Sequence, residues 1–415
     1  MTLHAAVPKT AAETALAAAF SALSASDAAK AAFADFETRG LPTRRDEAWH
    51  YTDLRAAMKR VEPLAAVPDD RRLKAVEAVL ARTPRIADVR WVLVDGRYAE
   101  SLSDAPPAGV SLSLVEAPRA PETSDAVVSL NRAFARAALD VRVAANAAPP
   151  SLEILHLDGP GAIYSRVDVE VGAGAKISVL ERFEGASEGT QRNGLTAVTL
   201  AEGASCDWTT IVGDEAALHL ETPIVRLQRD ASFRDFGLVC GGALVRRQID
   251  VAHSGPGAKI ALSGLSLIEG QRHADTTLTV RHAAPRGESR EFFRHIVADE
   301  GSGVYQGKVI VDPHAQKTDG GMKSQALLLS PTAEMDNKPE LEIFADDVVC
   351  GHGATVGALD PEQVFYLQSR GIPRPQAEAM LLEAFGIEAI ERVADEAVAD
   401  ALRERLHDWL KRRAA

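Results

Sequence analysis

The sequence predicts a mainly β protein in which a long core of stacked β coils, a solenoid, lies between helical ends. Three observations carry that expectation. From about residue 150 the chain becomes a succession of short runs rich in Val, Ile, Leu and Thr, punctuated by Gly and Asp. Four of the turns between them share one form (small or acidic residues, then Ala, then a new strand): "GAGAKISVL", "AEGASCDWT", "QRDASFRDF" and "GPGAKIALS". Their alanines, Ala175, Ala204, Ala231 and Ala258, recur at spacings of 29, 27 and 27 residues. Such a recurrence suits an array in which each coil buries its face on the next. A β-sandwich produces similar runs but has no need of the repeat.

Residues 1–83 read as a helical region rich in Ala, Leu, Glu and Arg. The start, "MTLHAAVPKTAAETALAAAF", reads as a helix that carries Lys9 and Glu13 and lacks the ordered regions of a signal peptide. Leu16, Phe20 and Leu23 fall on one helical face, Phe33 and Phe36 on another, with Ser26 or Asp27 as the cap between them. "RRDEAWHYTDL" then supplies Trp49, Tyr51 and Leu54 to pin the segment by packing. Residues 84–150 form a transition of short apolar runs and Pro-rich connections, with one hairpin-like strand at "VRWVLVDG". The β core is expected over 151–359, its last strands being "GVYQGKVIVDPHA", "QALLLSPTAEM" and "ELEIFADDVVC".

From 360 to 415 the chain is again helical. Asp360 caps a helix with Pro361 at its first position, and Val364 and Leu367 share a face before Gly371 ends it. Pro375 opens a second helix with Ala377, Met380, Leu381, Ala384 and Phe385 on one stripe, closing near Gly386. A third helix, from about Glu388 to Arg413, ends in a basic turn that suits its dipole.

Composition excludes several functions. With 46 Lys and Arg against 59 Asp and Glu, the net charge of -13 argues against nucleic acid or anionic lipid as a main partner. No run of 18 apolar residues is present to span a membrane. Three scattered cysteines, Cys206, Cys240 and Cys350, without a CxxC, suit neither a disulfide framework nor a four-cysteine cluster. The chain reads as a reduced, cytosolic protein.

Nucleotide motifs fail in detail. "GAGAKI" and "GPGAKI" place Ile177 and Ile260 where a dinucleotide loop needs its third glycine. In "GSGVYQGKV", Val309 follows Lys308 where a phosphate loop needs Ser or Thr. There is no HExxH and no GxSxG. His253, His273, His282, His295 and His314 crowd the later β region without a ligand spacing and read as structural.

One stretch concentrates chemistry: "DDVVCGHGATVG", Asp346 to Gly357. On a strand, Cys350 and His352 share a face, their roots about 6–7 Å apart. A thiolate and an imidazole there suit iron, copper or zinc, but a closed site normally takes four ligands. Gly351 and Gly353 leave room for another backbone to approach. Asp346 and Asp347 either feed charge to the site or cap a turn. On spacing alone, a buried thiol beside a hydrogen-bonded turn histidine ranks ahead of a metal site.

"KPELEIFADDVVCGHGATVG" followed by "LDPEQVFYLQSRGI" resembles the C-terminal signature of the SufB/SufD family, the scaffold subunits of SUF iron–sulfur cluster assembly. "GVYQGKVIVDPHAQKTDGGMKSQALLLSPTAEMDNKPELEIFADD" extends the likeness upstream, and "RRDEAWHYTDL" resembles the family's N-terminal motif. Length, few cysteines and that motif's form resemble the SufD branch rather than the SufB branch. The resemblance implies a right-handed parallel β-helix between helical regions. It implies pairing with a SufB-type subunit through the β-helix ends, and docking of a SufC-type ATPase by the C-terminal helices. The stripe of Val364, Leu367, Met380, Leu381 and Phe385 fits that docking and equally an internal bundle. The family's functional interface histidine corresponds to His352, working with a partner cysteine on a transient shared iron–sulfur cluster; Cys350 matches the motif with a less firmly implied role. The resemblance also associates the complex with reduced flavin, for which this chain has no fingerprint.

The chain is thus expected to turn nothing over alone, with ATP hydrolysis in the SufC-type subunit driving the interface open. Three other readings remain open: a structural homodimer without metal chemistry, a SufB-like scaffold subunit, and a solitary solenoid enzyme. The last needs clustered carboxylates along one groove, and Asp346 and Asp347 point to opposite faces of a regular strand.

Overall fold

The computed structural model describes residues 8–116, 125–186, 188–213 and 215–414; residues 1–7, the start of the expected N-terminal helix, lie outside them. Helix α1 (Ala11–Ser21) begins at Thr10, whose hydroxyl takes the Glu13 amide while Glu13 takes the Thr10 amide. Ser26 caps α2 (Asp27–Arg39). Two short helices follow, α3 (Leu54–Ala57) and α4 (Asp70–Leu80). Strands β1 (Val89–Val94) and β2 (Arg97–Tyr98) make the expected hairpin, turning at Asp95 and Gly96 with positive φ at both. Beyond it, within the expected transition of short apolar runs, lie β3 (Val110–Val115), α5 (Ala126–Phe134) and β4 (Ala138–Val143); the helix had no expectation attached.

The coils then run β5 (Leu152–Leu157), β6 (Gly161–Val171), β7 (Lys176–Glu184), β8 (Thr190–Leu200), β9 (Ser205–Val212), β10 (Leu218–Leu227), β11 (Ser232–Val239) and β12 (Leu244–His253). They continue through β13 (Lys259–Ile268), β14 (His273–His282), β15 (Glu288–Val297), β16 (Ser302–Val311), β17 (Asp319–Leu328), β18 (Glu334–Ile343) and β19 (Val349–Gly357). Helices α6 (Pro361–Ser369), α7 (Arg374–Ile390) and α8 (Glu396–Ala414) close the chain.

From β5 onward odd strands form one parallel sheet and even strands the other, so each coil lays one strand in each: a parallel β-solenoid of about seven turns. The alanine repeat has a structural cause. Lys176, Ser205, Ser232, Lys259, Glu288, Asp319 and Val349 are successive register partners, and the alanines stand one residue before the first four. Ala175, Ala204, Ala231 and Ala258 are all fully buried. The residue before each is in the left-handed region: Gly174, Gly203, Asp230 and Gly257, then Arg286 and Lys317 in later coils. The turn amides bond coil to coil, as in Gly174 to the Glu202 carbonyl (2.9 Å) and Gly203 to the Arg229 carbonyl (2.9 Å).

Inside, β-branched residues stack in register. Val169, Val198, Val225, Val251, Val280 and Val309 form one column through the even sheet, all buried in the main core. Both outer faces are covered. Leu16, Phe33, Phe36, Trp49 and Leu54 pack with α5 on the even sheet at Leu218 and Leu220. Leu382, Ile390, Leu402, Leu406 and Trp409 pack on the odd sheet at Phe236, Leu265, Phe292 and Ile296.

The "RRDEAWHYTDL" segment is a strap across the even sheet. Arg246 (β12) stacks on Trp49 at 3.8 Å and bonds the Ala48 carbonyl. Thr52 meets His273 and Asp275 (β14), Gln306 (β16) donates to the Glu47 carbonyl at 3.1 Å, and Lys338 (β18) pairs with Glu47. Four successive strands are thereby tied to one loop.

One helix boundary departs from expectation. Gly386 does not end α7, which runs on to Ile390, and α8 begins at Glu396 rather than near Glu388. A Cβ at Gly386 would lie 2.7 Å from a Leu406 methyl, so this glycine lets α8 approach rather than breaking the helix.

Candidate functional site

The two ends of the solenoid differ. At the N-terminal end the sheets finish in β2 and β3, strands that turn back antiparallel on β1 and β4. At the C-terminal end β18 and β19 are parallel edge strands with no further strand beyond them among the described residues. Uncovered backbone donors and acceptors along such edges are a template for another chain. Around them Phe344 (61% exposed), Val349 (73%), Val356 (45%) and Ile343 (39%) present apolar surface, far more than a finished edge tolerates.

Cys350 and His352 lie on β19, as the alternation requires. Cys350 stands opposite Gly320 and His352 opposite Met322, and Gly320 and Met322 are buried interior positions of β17. Both residues therefore face the lumen side of the last coil. Cys350 is half-buried against the core, His352 is exposed, and both lie at the mouth of the open end. Burial pushes the Cys350 thiol above its ordinary pKa, with Asp319 and Glu291 adding to it. A Cβ built on Gly351, Gly353 or Gly357 would meet nothing, so the outer side of this strand is free for a close approach. Asp347 belongs to the turn: it pairs with Lys317, and its amide bonds Gln316 Oε1 at 2.9 Å. Among the described residues no group of three or more His, Cys, Asp or Glu side chains is placed to hold a metal ion. From this chain alone the site offers two candidate ligands.

Beneath these residues runs a polar column that sequence reasoning missed. Below His352 come Met322 and then Glu291; below Cys350 come Gly320 and then Ser289. The space above Gly320 is flanked by Cys350 Sγ and Ser289 Oγ, 3.4 and 3.5 Å from where a Cβ would stand. Among the described residues, Glu291 is buried with neither carboxylate oxygen hydrogen-bonded, His295 with neither ring nitrogen bonded, and the Tyr305 hydroxyl likewise unbonded. Burial raises Glu291 to about 8 and lowers His295 to about 3, so both are neutral at pH 7. Only alternation combined with coil register brings these residues together. Their side chains carry no motif.

The other histidines are engaged structurally. His253 Nε2 and His282 Nδ1 are 2.8 Å apart as buried register partners of the even sheet, His273 meets Thr52, and His314 Nε2 lies 2.8 Å from the Ala283 carbonyl.

The C-terminal stripe divides. Val364 is buried, Leu367, Leu381 and Phe385 are half-buried, and Met380 is exposed. Phe385 sits under the Arg294 guanidinium at 4.3 Å. The most exposed aromatics of this region are Phe365 (71%) and Tyr366 (57%), which the stripe did not include.

Comparison with known proteins agrees with this architecture. Residues 155–385 match the family model for the SufBD core domain of SUF-system FeS cluster assembly. The chain is 30% identical over 371 residues to the iron–sulfur cluster assembly protein SufD of Escherichia coli (strain K12), covering 86% of each. It is 27% identical over 383 residues to an iron–sulfur cluster assembly SufBD family protein of Synechocystis, covering 85% of this chain and 84% of that one. A SufBD family protein of Mycobacterium leprae is 27% identical over 377 residues, 87% of this chain and 89% of its own.

Proposed function

The chain belongs to the SufBD family of iron–sulfur cluster assembly proteins, as a SufD homologue, and from that premise we propose that it is a non-catalytic scaffold subunit pairing with a SufB-type subunit through the open end of its solenoid. The observation that carries the reading is that end itself. Two unpaired parallel edges, β18 and β19, and exposed Phe344 and Val349 surround Cys350 and His352. Two ligands make half a site, and a partner docked on the same edges is placed to bring the rest.

On this reading iron or a nascent cluster is cargo, held transiently between the subunits. His352 contributes an imidazole at the surface. Cys350 is kept as a thiol by burial and gives up its proton when it takes metal. Docking of the partner buries both residues and excludes water from the cargo. Reduced flavin, if the assembled complex uses it, is assigned to no residue of this chain.

The C-terminal helices offer the second contact, to a SufC-type ATPase. Phe365, Tyr366 and Met380 present the apolar anchors. Leu367 and Leu381 stand half-buried beside them, while Val364 and Phe385 hold the helices from behind. Helix α7 rests on β13 and β15, and β17 alone separates β15 from β19. Movement of these helices under ATP hydrolysis has a short packed route to the open edge. In isolation the same edges are free to pair with a second copy; light scattering that finds only monomer at micromolar concentration removes that pairing.

The test is co-expression with SufB-type and SufC-type partners, then iron and sulfide assay of the purified complex, wild type against His352→Ala. A stable complex with reduced iron and sulfide supports a shared assembly site. A stable complex with unchanged content reduces His352 to a surface residue and leaves a docking platform without metal chemistry.

A further inference from the structure

A two-lobed cleft separates the N-terminal helices from the first coils, far along the chain from the open end. Its inner lobe, about 290 Å³, is lined by Leu93, Arg97, Phe134, Arg136, Leu139 and Tyr164, among others. Its outer lobe, about 330 Å³, adds Arg132 and the Ser24–Ala29 connection between α1 and α2. Leu23, Phe134, Arg136 and Arg166 line both lobes. Arginines thus gather at one cleft on a chain whose net charge is -13.

Among the described residues, three nearby carboxylates are already committed. Asp168 is held by Arg166 at 2.8 and 2.9 Å. Asp95, beside Arg97, is bound by Arg72 at 2.7 and 2.8 Å and by the Gly159 amide at 2.7 Å. Asp35, near Arg132, accepts from Ser129 and Arg39. Glu116 lies on the exposed rim of the outer lobe and forms no ion pair with these arginines among the described residues. Arg97, Arg132 and Arg136 have no hydrogen-bonded acceptor among the described residues. Arg97 is partly buried and repelled by Arg136; Arg132 is partly buried and repelled by Arg166. Both are held below their ordinary pKa. Arg97 and Arg132 are half-buried and Arg136 is exposed, and like charges gathered in a partly dry cleft are eased when an anion joins them.

The walls add a second requirement. Phe134 and Tyr164 stack with ring centroids 4.7 Å apart, and Leu23, Leu64, Leu139 and Ile163 surround them. Guanidiniums fork onto phosphate oxygens in pairs, and flat apolar groups rest on such aromatic walls. We propose that this cleft is a binding site for a small organic phosphate, its phosphate on Arg97 and Arg136 and its apolar body against Phe134, Tyr164 and Leu139. The site is independent of the scaffold reading and of the open end.

The test is calorimetric titration of the full-length chain with phenyl phosphate, and separately with inorganic phosphate. Saturable one-to-one binding of phenyl phosphate is expected, at least tenfold tighter than inorganic phosphate. Arg97→Gln and Arg136→Gln should each weaken it at least tenfold, while Arg290→Gln, which removes an arginine paired with Asp319 elsewhere, leaves it unchanged. The two cleft variants should also unfold, without ligand, at or above the wild-type temperature, because each removes an uncompensated charge; folding failure therefore does not mimic the result. No saturable binding, equal binding by the cleft variants, or equal affinity for inorganic phosphate overturns the proposal. So does a cleft variant that melts below wild type, since the arginines would then be structural.

Discussion

Glu291→Gln isolates the energetics of the polar column beneath the open end. Wild-type Glu291 is buried and is raised by burial from 4.5 to about 8, against weaker lowering by Ser289 and Arg290. Below pH 4.5 folded and unfolded chains both hold its proton and the residue contributes no pH dependence. Between 4.5 and 8 the unfolded chain releases the proton while the folded chain keeps it, so stability falls as pH rises, by up to about 1.4 kcal/mol per pH unit. The loss reaches about 3 kcal/mol at pH 7 and becomes constant above 8. His295 works in the opposite direction: lowered from 6.5 to about 3, it makes stability rise with pH between those values. From pH 4.5 to 6.5 the two slopes cancel; from 6.5 to 8 only the loss from Glu291 remains. The glutamine variant lacks that loss, and the titrating groups it shares with wild type cancel in the difference between the two proteins. Urea titrations of both proteins at pH 5, 6, 7 and 8 measure the difference, which should grow by roughly 1 kcal/mol or more per unit from pH 5. A variant-minus-wild-type difference that stays constant across that range refutes the assignment of Glu291 as a buried neutral acid.

Three further outcomes follow from packing. Gly287→Ala should destabilise by about 1–3 kcal/mol in urea titration, because its Cβ would lie 2.3 Å from His253 Nε2 and 2.6 Å from His282 Nδ1. Trp49→Ala removes the ring under Arg246 and the Nε1 donor to Asp125 at 3.2 Å; it should cost about 3–5 kcal/mol and expose the N-terminal region to limited proteolysis before the solenoid. Phe365→Ser with Tyr366→Ser should leave the isolated chain within about 0.5 kcal/mol of wild type while abolishing capture of the SufC-type subunit in a pull-down, which separates docking from folding.

The sequence showed the architecture where one residue type repeats for one reason. Four alanines and the small or acidic residues before them mark stacked turns because a left-handed backbone selects Gly or Asp and a fully buried stack selects Ala. The signal fades in later coils because Gly287 and Thr318 take the alanine position, while Arg286 and Lys317 adopt the left-handed conformation that their side chains do not advertise. Gly386 misled for a related reason: a glycine selected for helix approach reads in sequence like a helix end. For α6, spacing identifies the faces of a helix but not which one the fold covers, so Val364 entered the candidate contact and Phe365 and Tyr366 did not.

Cys350 and His352 were visible in sequence and ambiguous for a physical reason that the solenoid explains. A lumen-facing residue in any interior coil has a neighbour above and below, which is why Cys206, in the same register column as Cys350, is an inert thiol pushed far above its ordinary pKa by burial. Cys350 has the same orientation but occupies the last coil, so it is half-buried and reachable. Accessibility here depends on position along the stack and not on the local motif. Adding one more coil of any sequence would convert the pair into core. On the proposed reading the SufB-type subunit is in effect that coil, supplying ligands where an interior coil of this chain supplies the next residue of the stack. On that reading a site made by interrupting a repeat would open and close with the interface, whereas an enclosed ligand set inside one chain could not release its cargo that way.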